Sequence, residues 1–352
     1  MEQEEIQKLS LRRQRTAAQL LSGPGPRKVD EIVSHLLAVQ AQDLNSARLA
    51  LRARGTRLTA EDVDRALSVD RSLVVAWLGR GTLHLVHRDD YPGLLALTAP
   101  SSATSNRRRL RQESVSSHDA DRAVSVIEKA LSEEGHLTRS DLGARMAAHK
   151  IPTAGQATHH LVMLATLRGA TVLGPLKDGI QAFVLAEDWL GTRPRPSAAV
   201  DRPAALSRLA QRYLRAHAPA EPTDLAAWVG LPLRDVRVAF DAALDNQEAV
   251  DAEPTGSFAR LLPSFDPYLL GWKDRGFMVP ATHVRRVHPG GGVLRATVVA
   301  DGKAIGTWSR RRDGERIKIH LDPFAPFSDE VEVALRRDAL DVARFEGLTL
   351  SR

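Results

Sequence analysis

Apolar residues recur at helical spacing along much of the chain. Residues 29–39 have apolar side chains at positions 29, 32, 33, 36, 37 and 39, which is the period of an amphipathic helix. We therefore predict a helix over 29–39 that presents Gln40-Ala41-Gln42-Asp43 at its end. The same spacing predicts further helices over 9–21, 44–54, 156–168 and 328–345.

Short helices followed by paired strands occur more than once, and that order is typical of a winged helix. Thr59 and Asp62 indicate a helix N-terminus, and the strand 73–77 then leads through a glycine turn to a strand over 82–86. Later in the chain, T-R-S-D-L-G and E-P-T-D-L-A align Asp141 with Asp224. We predict three winged helix-turn-helix units in tandem.

Two polar stretches separate the predicted units. Residues 101–118 are rich in Ser and Arg, and residues 187–204 are rich in Pro, Arg and Ala, so both are predicted to be breaks, the second a linker. The expected fold class is α+β, mainly α. The expected domains are helices with the first winged helix at 1–115, winged helices at 116–190 and 191–260, and a β-hairpin element with a final helix at 261–352.

The last hundred residues change to an alternating pattern that predicts antiparallel strands. A first hairpin is expected from 284–287 and 293–300 around the glycines at 290–292. Asp301-Gly302 is a strong two-residue hairpin turn. The segments AIGTWSRRR and RIKIHLDPF follow it as further strands.

Length and composition narrow the class of protein. The 352 residues suggest two or three domains, and the chain has no cysteine, which excludes disulfides, thiol catalysis and Cys-ligated metals. No apolar run reaches 18 residues, so no membrane span is expected. The polar N-terminus does not resemble a secretory signal, and we expect a cytoplasmic protein.

The basic residues are mostly arginine. The formal net charge is +6, and the 49 basic residues include only 8 lysines. Arginine forks match phosphate oxygens, so nucleic acid is a candidate partner, although a solubilising surface explains the charge equally well. The densest clusters are Arg107, Arg108 and Arg109, and Arg310, Arg311 and Arg312.

Among polar motifs, Gln40-Ala41-Gln42 is the most informative. Two residues at spacing i, i+2 share a face only where the backbone is extended, whereas in a helix they diverge. The alternative is ordinary capping of a helix end. His84 falls on a predicted strand, where it is either a structural hydrogen-bonding group or a base. No metal-ligand spacing and no phosphate-loop motif occurs, so we expect neither metal nor cofactor.

Four segments in order resemble the AlkZ/YcaQ-like winged-helix DNA glycosylase family. They are L-L-A-V-Q-A-Q-D at 36–43, L-V-V-A-W-L-G-R-G-T-L-H at 73–84, L-L-P-S-F-D at 261–266 and D-G-K-A-I-G-T-W at 301–308. The family has a Gln-x-Gln branch and a Gln-x-Asp branch, and this chain resembles the first, the AlkZ-like branch. The resemblance implies that Gln40 and Gln42 are catalytic, with Asp43, His84 and Asp266 as candidate supporting residues.

The resemblance also implies a fold and an activity. It implies three winged helices in a C-shape and a β-hairpin that inserts into DNA. The implied enzyme is a monofunctional DNA glycosylase that releases bulky N7-alkylguanine and unhooks interstrand crosslinks, with self-resistance to a genotoxic natural product as one biological role. Its partner would be double-stranded DNA that carries alkylated or crosslinked guanine. The protein would be a monomer associated with the nucleoid, and no membrane partner is expected.

A function of a different class stays open, as does the identity of the inserting hairpin. A non-catalytic transcription regulator would also use winged helices, and base release would distinguish the two. For the hairpin we favour 284–300, because Arg285, Arg286 and His288 flank its small glycine tip. The alternatives are that this hairpin only packs against the third winged helix, or that the strand with Arg310–Arg312 enters the groove.

Overall fold

The computed structural model describes residues 2–194, 201–245 and 258–351, so part of the predicted linker (195–200) lies outside the described residues. The described residues form α-helices at α1 (Glu2–Ala18), α2 (Val29–Leu36), α3 (Leu44–Arg52), α4 (Ala60–Ser68), α5 (Tyr91–Gln112), α6 (Ser117–Glu134), α7 (Arg139–Ala148), α8 (Ala157–Leu167), α9 (Ala186–Leu190), α10 (Arg202–His217), α11 (Pro222–Val229), α12 (Leu233–Asp245), α13 (Pro267–Leu270), α14 (Val284–Val287) and α15 (Asp329–Phe345). The strands are β1 (Val39–Gln40), β2 (Leu73–Leu78), β3 (Thr82–His87), β4 (Thr171–Lys177), β5 (Ile180–Leu185), β6 (Ala259–Leu262), β7 (Thr297–Ala300), β8 (Lys303–Asp313), β9 (Arg316–Pro323) and β10 (Thr349–Leu350), and short 3-10 turns cover Gly79–Gly81 and Ala281–His283. The fold is α+β and mainly helical, as predicted.

These elements form two compact units. The first unit comprises Met1–Val63, Ala210–Trp228 and Pro232–Arg352, and the second comprises Asp64–Leu209 and Val229–Leu231. The boundaries predicted from the sequence, at 1–115, 116–190, 191–260 and 261–352, stay predictions.

The second unit contains a complete winged helix. Helices α6, α7 and α8 are followed by the antiparallel hairpin β4–β5, and Leu137 bridges Phe183. Thr138 and Asp141 cap α7 reciprocally, because each side chain accepts a hydrogen bond from the other residue's backbone N–H. Strand β4 continues across a bulge as far as Lys177.

The predicted break at 101–118 is wrong, because α5 runs through most of it to Gln112. Its buried positions, Asn106 and Leu110 among them, keep helical spacing, while its polar residues form the solvent face. Asn106 Nδ2 donates to the backbone oxygen of His160 on α8 at 2.9 Å, which fixes this part of the helix. A polar composition therefore marked one exposed helix face rather than a linker.

The first unit contains a five-stranded sheet in the order β10-β9-β8-β7-β6. Neighbouring strands are antiparallel except β10, which pairs parallel with β9. Asp301 and Gly302 form the β7–β8 turn with φ of 46° and 76°, as the sequence predicted. Under the sheet, Tyr268, Trp272 and Phe277 meet edge to face in an aromatic core.

The hairpin predicted at 284–300 is also wrong. Val284–Val287 is one helical turn (α14), and β7 pairs with β6 and β8 instead. The apolar residues of V-R-R-V are three apart, which suits a helical turn better than a strand. The long hairpin of this region is β8–β9, whose two-residue turn at 314–315 is flanked by Asp313 and Arg316.

Candidate active site

The two glutamines lie in an extended connection between α2 and α3. Helix α2 ends at Leu36, three residues before the predicted end, because Leu37 has φ 67° and ψ −45°. That conformation is rare for a residue with a side chain and turns the backbone sharply. The chain then becomes extended at Val39–Gln40, so the prediction that a helix carries Gln40 at its end is wrong.

Burial alternates along this connection. Val39 and Ala41 are fully buried, Gln40 is half-buried and Gln42 is exposed. Gln40, at the end of the strand, and Gln42, in the bend that follows, are both more exposed than Val39 and Ala41, so neither glutamine belongs to the core that holds Ala41. Neither side-chain amide forms a hydrogen bond within the described part of the chain. Both amides are therefore available to water or a bound molecule.

Asp43 fixes the end of the glutamine segment. It is the N-cap of α3, and its carboxylate accepts hydrogen bonds from the backbone N–H groups of Asn45 and Ser46, both at 3.2 Å. The Ser46 hydroxyl adds a third at 2.7 Å. The Asp43 carboxylate therefore fixes the backbone at the start of α3, directly after the two glutamines.

A surface cavity of about 480 Å³ opens directly beside Asp43 in the first unit. Three of the four segments that carry the family resemblance meet here, through Asp43, Ser264 and Thr307. The cavity is lined by Asp43, Ser46, Leu49, Pro263, Ser264, Arg295, Ala296, Thr307, Trp308, Ser309, Arg310, His320 and Asp322. Its wall is polar and carries both signs of charge.

Several charged side chains of this cavity (the glutamine-side cavity) are already paired. Arg310 forms an ion pair with Glu346. Arg286 binds Asp322 at 2.7 Å, and its hydrogen bond lowers the pKa of that carboxyl. Arg295 is exposed and forms only a long contact with a backbone oxygen, at 3.4 Å. Arg295 is therefore the cation of this cavity best able to meet a phosphate.

Asp266 is fully buried and paired with Arg54, not open to the cavity. Arg54 donates to both carboxylate oxygens, at 2.7 and 2.8 Å, and Tyr268 N–H donates to one of them. Both side chains of the pair are inaccessible to solvent. The ion pair joins the residues after α3 to the segment that contains Ser264, one of the residues lining the cavity.

His84 lies on β3 in the second unit, as the sequence predicted, and is almost fully buried. Its Nδ1 donates to the backbone oxygen of Thr82 at 3.0 Å. Burial, with a smaller effect of Arg80, lowers the pKa of His84 to about 4. The ring is neutral at neutral pH and is held by its own strand.

The arginines predicted to contact DNA occupy different elements. Arg107, Arg108 and Arg109 are exposed on the last turns of α5 in the second unit. In the first unit, Arg285 is exposed on α14, whereas Arg286 lies over the Phe324 ring at 4.5 Å and binds Asp322. Arg311 and Arg312 are exposed near the tip of β8–β9, while Arg310 and His288 are half-buried. Their contacts with DNA stay a prediction.

The sequence did not single out Ser264, Thr307, His320 or Asp322 as site residues. Ser264 and Thr307 lie inside quoted family segments, so those segments could have found them. No sequence signal marks His320 or Asp322, which reach the cavity by pairing of β9 with β8. Across the described residues, no group of three or more His, Asp or Glu could hold a metal ion, and no helix is long and apolar enough to cross a membrane.

We expect the melting temperature to fall as the pH drops from about 7.5 to about 5. Burial lowers the pKa of His84 to about 4 and that of His217 to about 3, from 6.5. Below pH 6.5 these two histidines are protonated in the unfolded state but remain neutral in the folded state. Each histidine therefore lowers the free energy of unfolding by on the order of 2 kcal/mol by pH 5.

Differential scanning calorimetry of the wild type and two variants checks this expectation. His84→Gln should reduce the pH dependence, and the exposed control His118→Gln should retain it. A melting temperature that is flat over this range would contradict the assignment.

Comparisons with known proteins identify the family and the fold. A family model described as DNA glycosylase AlkZ-like matches residues 33–345. A curated relative from Streptomyces sahachiroi, an interstrand DNA cross-link repair glycosylase, is 27% identical and is covered over 91% of each chain. The solved structure of the S. sahachiroi DNA glycosylase AlkZ has a TM-score of 0.73, with 23% identity and 98% of each chain covered.

Proposed function

Because this chain belongs to the AlkZ-like DNA glycosylase family, we propose that it hydrolyses the N-glycosidic bond of bulky N7-alkylguanine and unhooks interstrand crosslinks in double-stranded DNA. The S. sahachiroi relative, a cross-link repair glycosylase, supports the crosslink as substrate. Self-resistance to a genotoxic natural product is the biological role we propose.

The observation that carries the proposal is the pair of amides that have no partner among the described residues. Gln40 and Gln42 lie on either side of buried Ala41, and the next residue, Asp43, lines a polar cavity. Amides in helix caps or in the core normally have hydrogen-bond partners. Gln40 and Gln42 lie between two helices that fix the backbone, and their amides can therefore form hydrogen bonds with a bound ligand.

The chemistry of the lesion suits neutral amides. Alkylation at N7 makes guanine cationic, so the base already leaves easily and needs little general acid. The remaining tasks are to place a water near the anomeric carbon and to stabilise the developing positive charge of the sugar. A glutamine carbonyl oxygen can accept from that water and face the charge, while its N–H groups hold a deoxyribose or phosphate oxygen.

The position of the cavity also fits a crosslinked base. Enzymes that act on free bases usually rotate the nucleotide into a closed pocket. A crosslinked guanine remains tied to the opposite strand and cannot turn that far. The exposed side chains of Asp43, Ser309 and His320 place the glutamine-side cavity at the surface, where a base could be reached without complete extrusion.

The surface of the winged helices argues against a transcription regulator. A regulator reads operators with the exposed face of the third helix of each unit. In the second winged helix that helix is α8, whose residues 161–167 are all buried. In the first it is α4, whose exposed side chains include Glu61 and Asp62, which repel phosphates.

We test the function by incubating the protein, in the presence of EDTA, with duplexes that carry a methyl adduct, a bulky adduct or an interstrand crosslink at guanine N7. We expect free alkylguanine by mass spectrometry, and strand breaks only after alkali, because no lysine lines the cavity to form a Schiff base. Stable retention of the duplex without base release would support the regulator. Loss of activity in EDTA that a divalent ion restores would show a metal site.

The hairpin β8–β9 is the element that we propose to enter the minor groove, in place of the favoured 284–300 segment. Its tip turn is narrow, and Arg311 and Arg312 are exposed beside it. Arg311→Ala with Arg312→Ala should weaken duplex binding and base release about tenfold and reduce the salt slope of binding by about two.

Fluorescence anisotropy over a salt series measures this effect. The charge-matched control Arg336→Ala with Arg337→Ala, exposed on α15, should leave both quantities near wild type. Equal losses in the two double variants would assign the effect to net charge and remove the hairpin from the DNA interface.

A further inference from the structure

A second cavity, of about 660 Å³, lies in the first unit and shares no lining residue with the glutamine-side cavity. Helix α1 forms one wall and the segment 273–281 forms another, with the start of β8 at the edge. We call it the cationic cavity. Its volume is within the range of sites for small organic ligands, roughly 300 to 1,000 Å³.

The charges that line this cavity are unbalanced. Five cationic side chains face two carboxylates, and the cations are Lys8, Arg12, Lys273, Arg275 and Lys303. Two of the cations and both carboxylates are already engaged: Glu5 binds Arg12 at 2.9 Å, Lys8 binds Glu4 at 2.6 Å, and Asp274 accepts from the backbone N–H of Gly276. The ammonium groups of Lys273 and Lys303 have no ion-pair partner within the described ranges.

Two buried nitrogens in the lining also lack hydrogen bonds. Arg12 is only 5% exposed, and its Nε has no partner among the described residues. His288 Nε2 is likewise buried and without a partner there. Both nitrogens are themselves covered by protein, so the cationic groups open to a ligand are the exposed ammonium groups of Lys273 and Lys303.

The rest of the lining indicates which kind of anion would suit these cations. Phe277, Met278, Pro280 and Val284 form an apolar wall beside the cations. The cations alone would hold an inorganic phosphate or pyrophosphate, and a phosphate attached to a sugar and base would use the apolar wall as well. Arginine and lysine together are the usual recognition groups for phosphate.

We propose that the cationic cavity binds the phosphate of a nucleotide, which belongs either to a strand of DNA or to a free nucleotide. Only the DNA source rests on the proposed function. Lys273 and Lys303 would supply the charge that holds this phosphate at the rim.

The test uses the full chain and inorganic pyrophosphate as the probe, measured by isothermal titration calorimetry at low salt. Lys273→Gln with Lys303→Gln removes the two exposed rim charges without touching the core. Lys28→Gln with Lys129→Gln is the charge-matched control, because both are exposed and lie outside the cavity. We expect the rim variant to bind pyrophosphate at least tenfold more weakly than the control, at an unchanged melting temperature.

Anisotropy with an undamaged labelled duplex then separates the two sources. If the phosphate belongs to DNA, the rim variant also loses duplex affinity, and pyrophosphate displaces the duplex from wild type. If it belongs to a free nucleotide, duplex affinity matches the control and pyrophosphate does not compete. The proposal is overturned if wild type does not bind pyrophosphate, or if the rim and control variants bind it equally. Neither assay depends on base release, so the glycosylase function is tested independently.

Discussion

Gln40→Ala and Gln42→Ala should each lower the rate of alkylguanine release at least tenfold, while duplex affinity changes little. Both amides face away from the core and have no hydrogen-bond partner within the described chain. Their removal therefore takes away contacts to water and sugar but no packing. A tenfold loss corresponds to about 1.4 kcal/mol of transition-state stabilisation, modest for two groups that act through orientation and charge. Affinity should persist, because it comes mainly from arginine and phosphate.

Single-turnover release and equilibrium anisotropy measure the two quantities separately. Gln14→Ala is the matched control, because Gln14 is an exposed amide on α1. If the variants lose binding and rate equally, the motif serves docking. Wild-type rates of base release in both variants would show that the glutamines are not catalytic and serve only the connection between α2 and α3.

Asp266→Ala should produce the largest loss of stability in the first unit. The substitution leaves Arg54 fully buried without its carboxylate, and breaking a buried pair in this way costs about 3 to 5 kcal/mol. In a unit of this size, that lowers the melting temperature by roughly 10 °C. Because Asp266 also caps α13, the Ser264 segment should loosen with it.

Calorimetry of a double variant distinguishes a structural pair from a chemical role. Arg54→Met with Asp266→Leu removes both charges and should recover much of the lost stability. Base release in that variant should recover in parallel, since Asp266 does not reach the cavity. The exposed pair Lys8–Glu4 gives the control, and Glu4→Ala should leave the melting temperature close to that of the wild type. A stable double variant without activity would contradict a positioning role.

The sequence predicted the elements whose signals are local. The cap at Thr59, the turn at Asp301-Gly302 and the final helix are formed by neighbours in the chain, and all are confirmed. The helix over 29–39 was extended too far because Leu37 and Val39 continue the apolar period. Only the dihedral angles of Leu37 reveal that the backbone turns there.

The site itself could be predicted only in part. The glutamines were identifiable from their motif, but the glutamine-side cavity joins Asp43 to Arg295 and His320, which are distant in sequence. The buried partner of Asp266 was equally out of reach, because Arg54 is one of many arginines and nothing local marks it. Contacts of this range depend on the packing of α3 against the C-terminal sheet, which periodicity does not specify.

The enclosure of α8 has a consequence for where on a chromosome this enzyme acts. Residues 161–167 of α8 are buried and α4 is acidic, so among these three helices of the described chain α12, with Arg234 and Arg237 exposed, has the face best suited to reading bases in the major groove. One helix covers too few base pairs to define a long consensus. On the proposed function, sites of repair should therefore coincide with the sites where the alkylating compound has reacted. The sequence preference of repair would then be set by that compound and not by the protein.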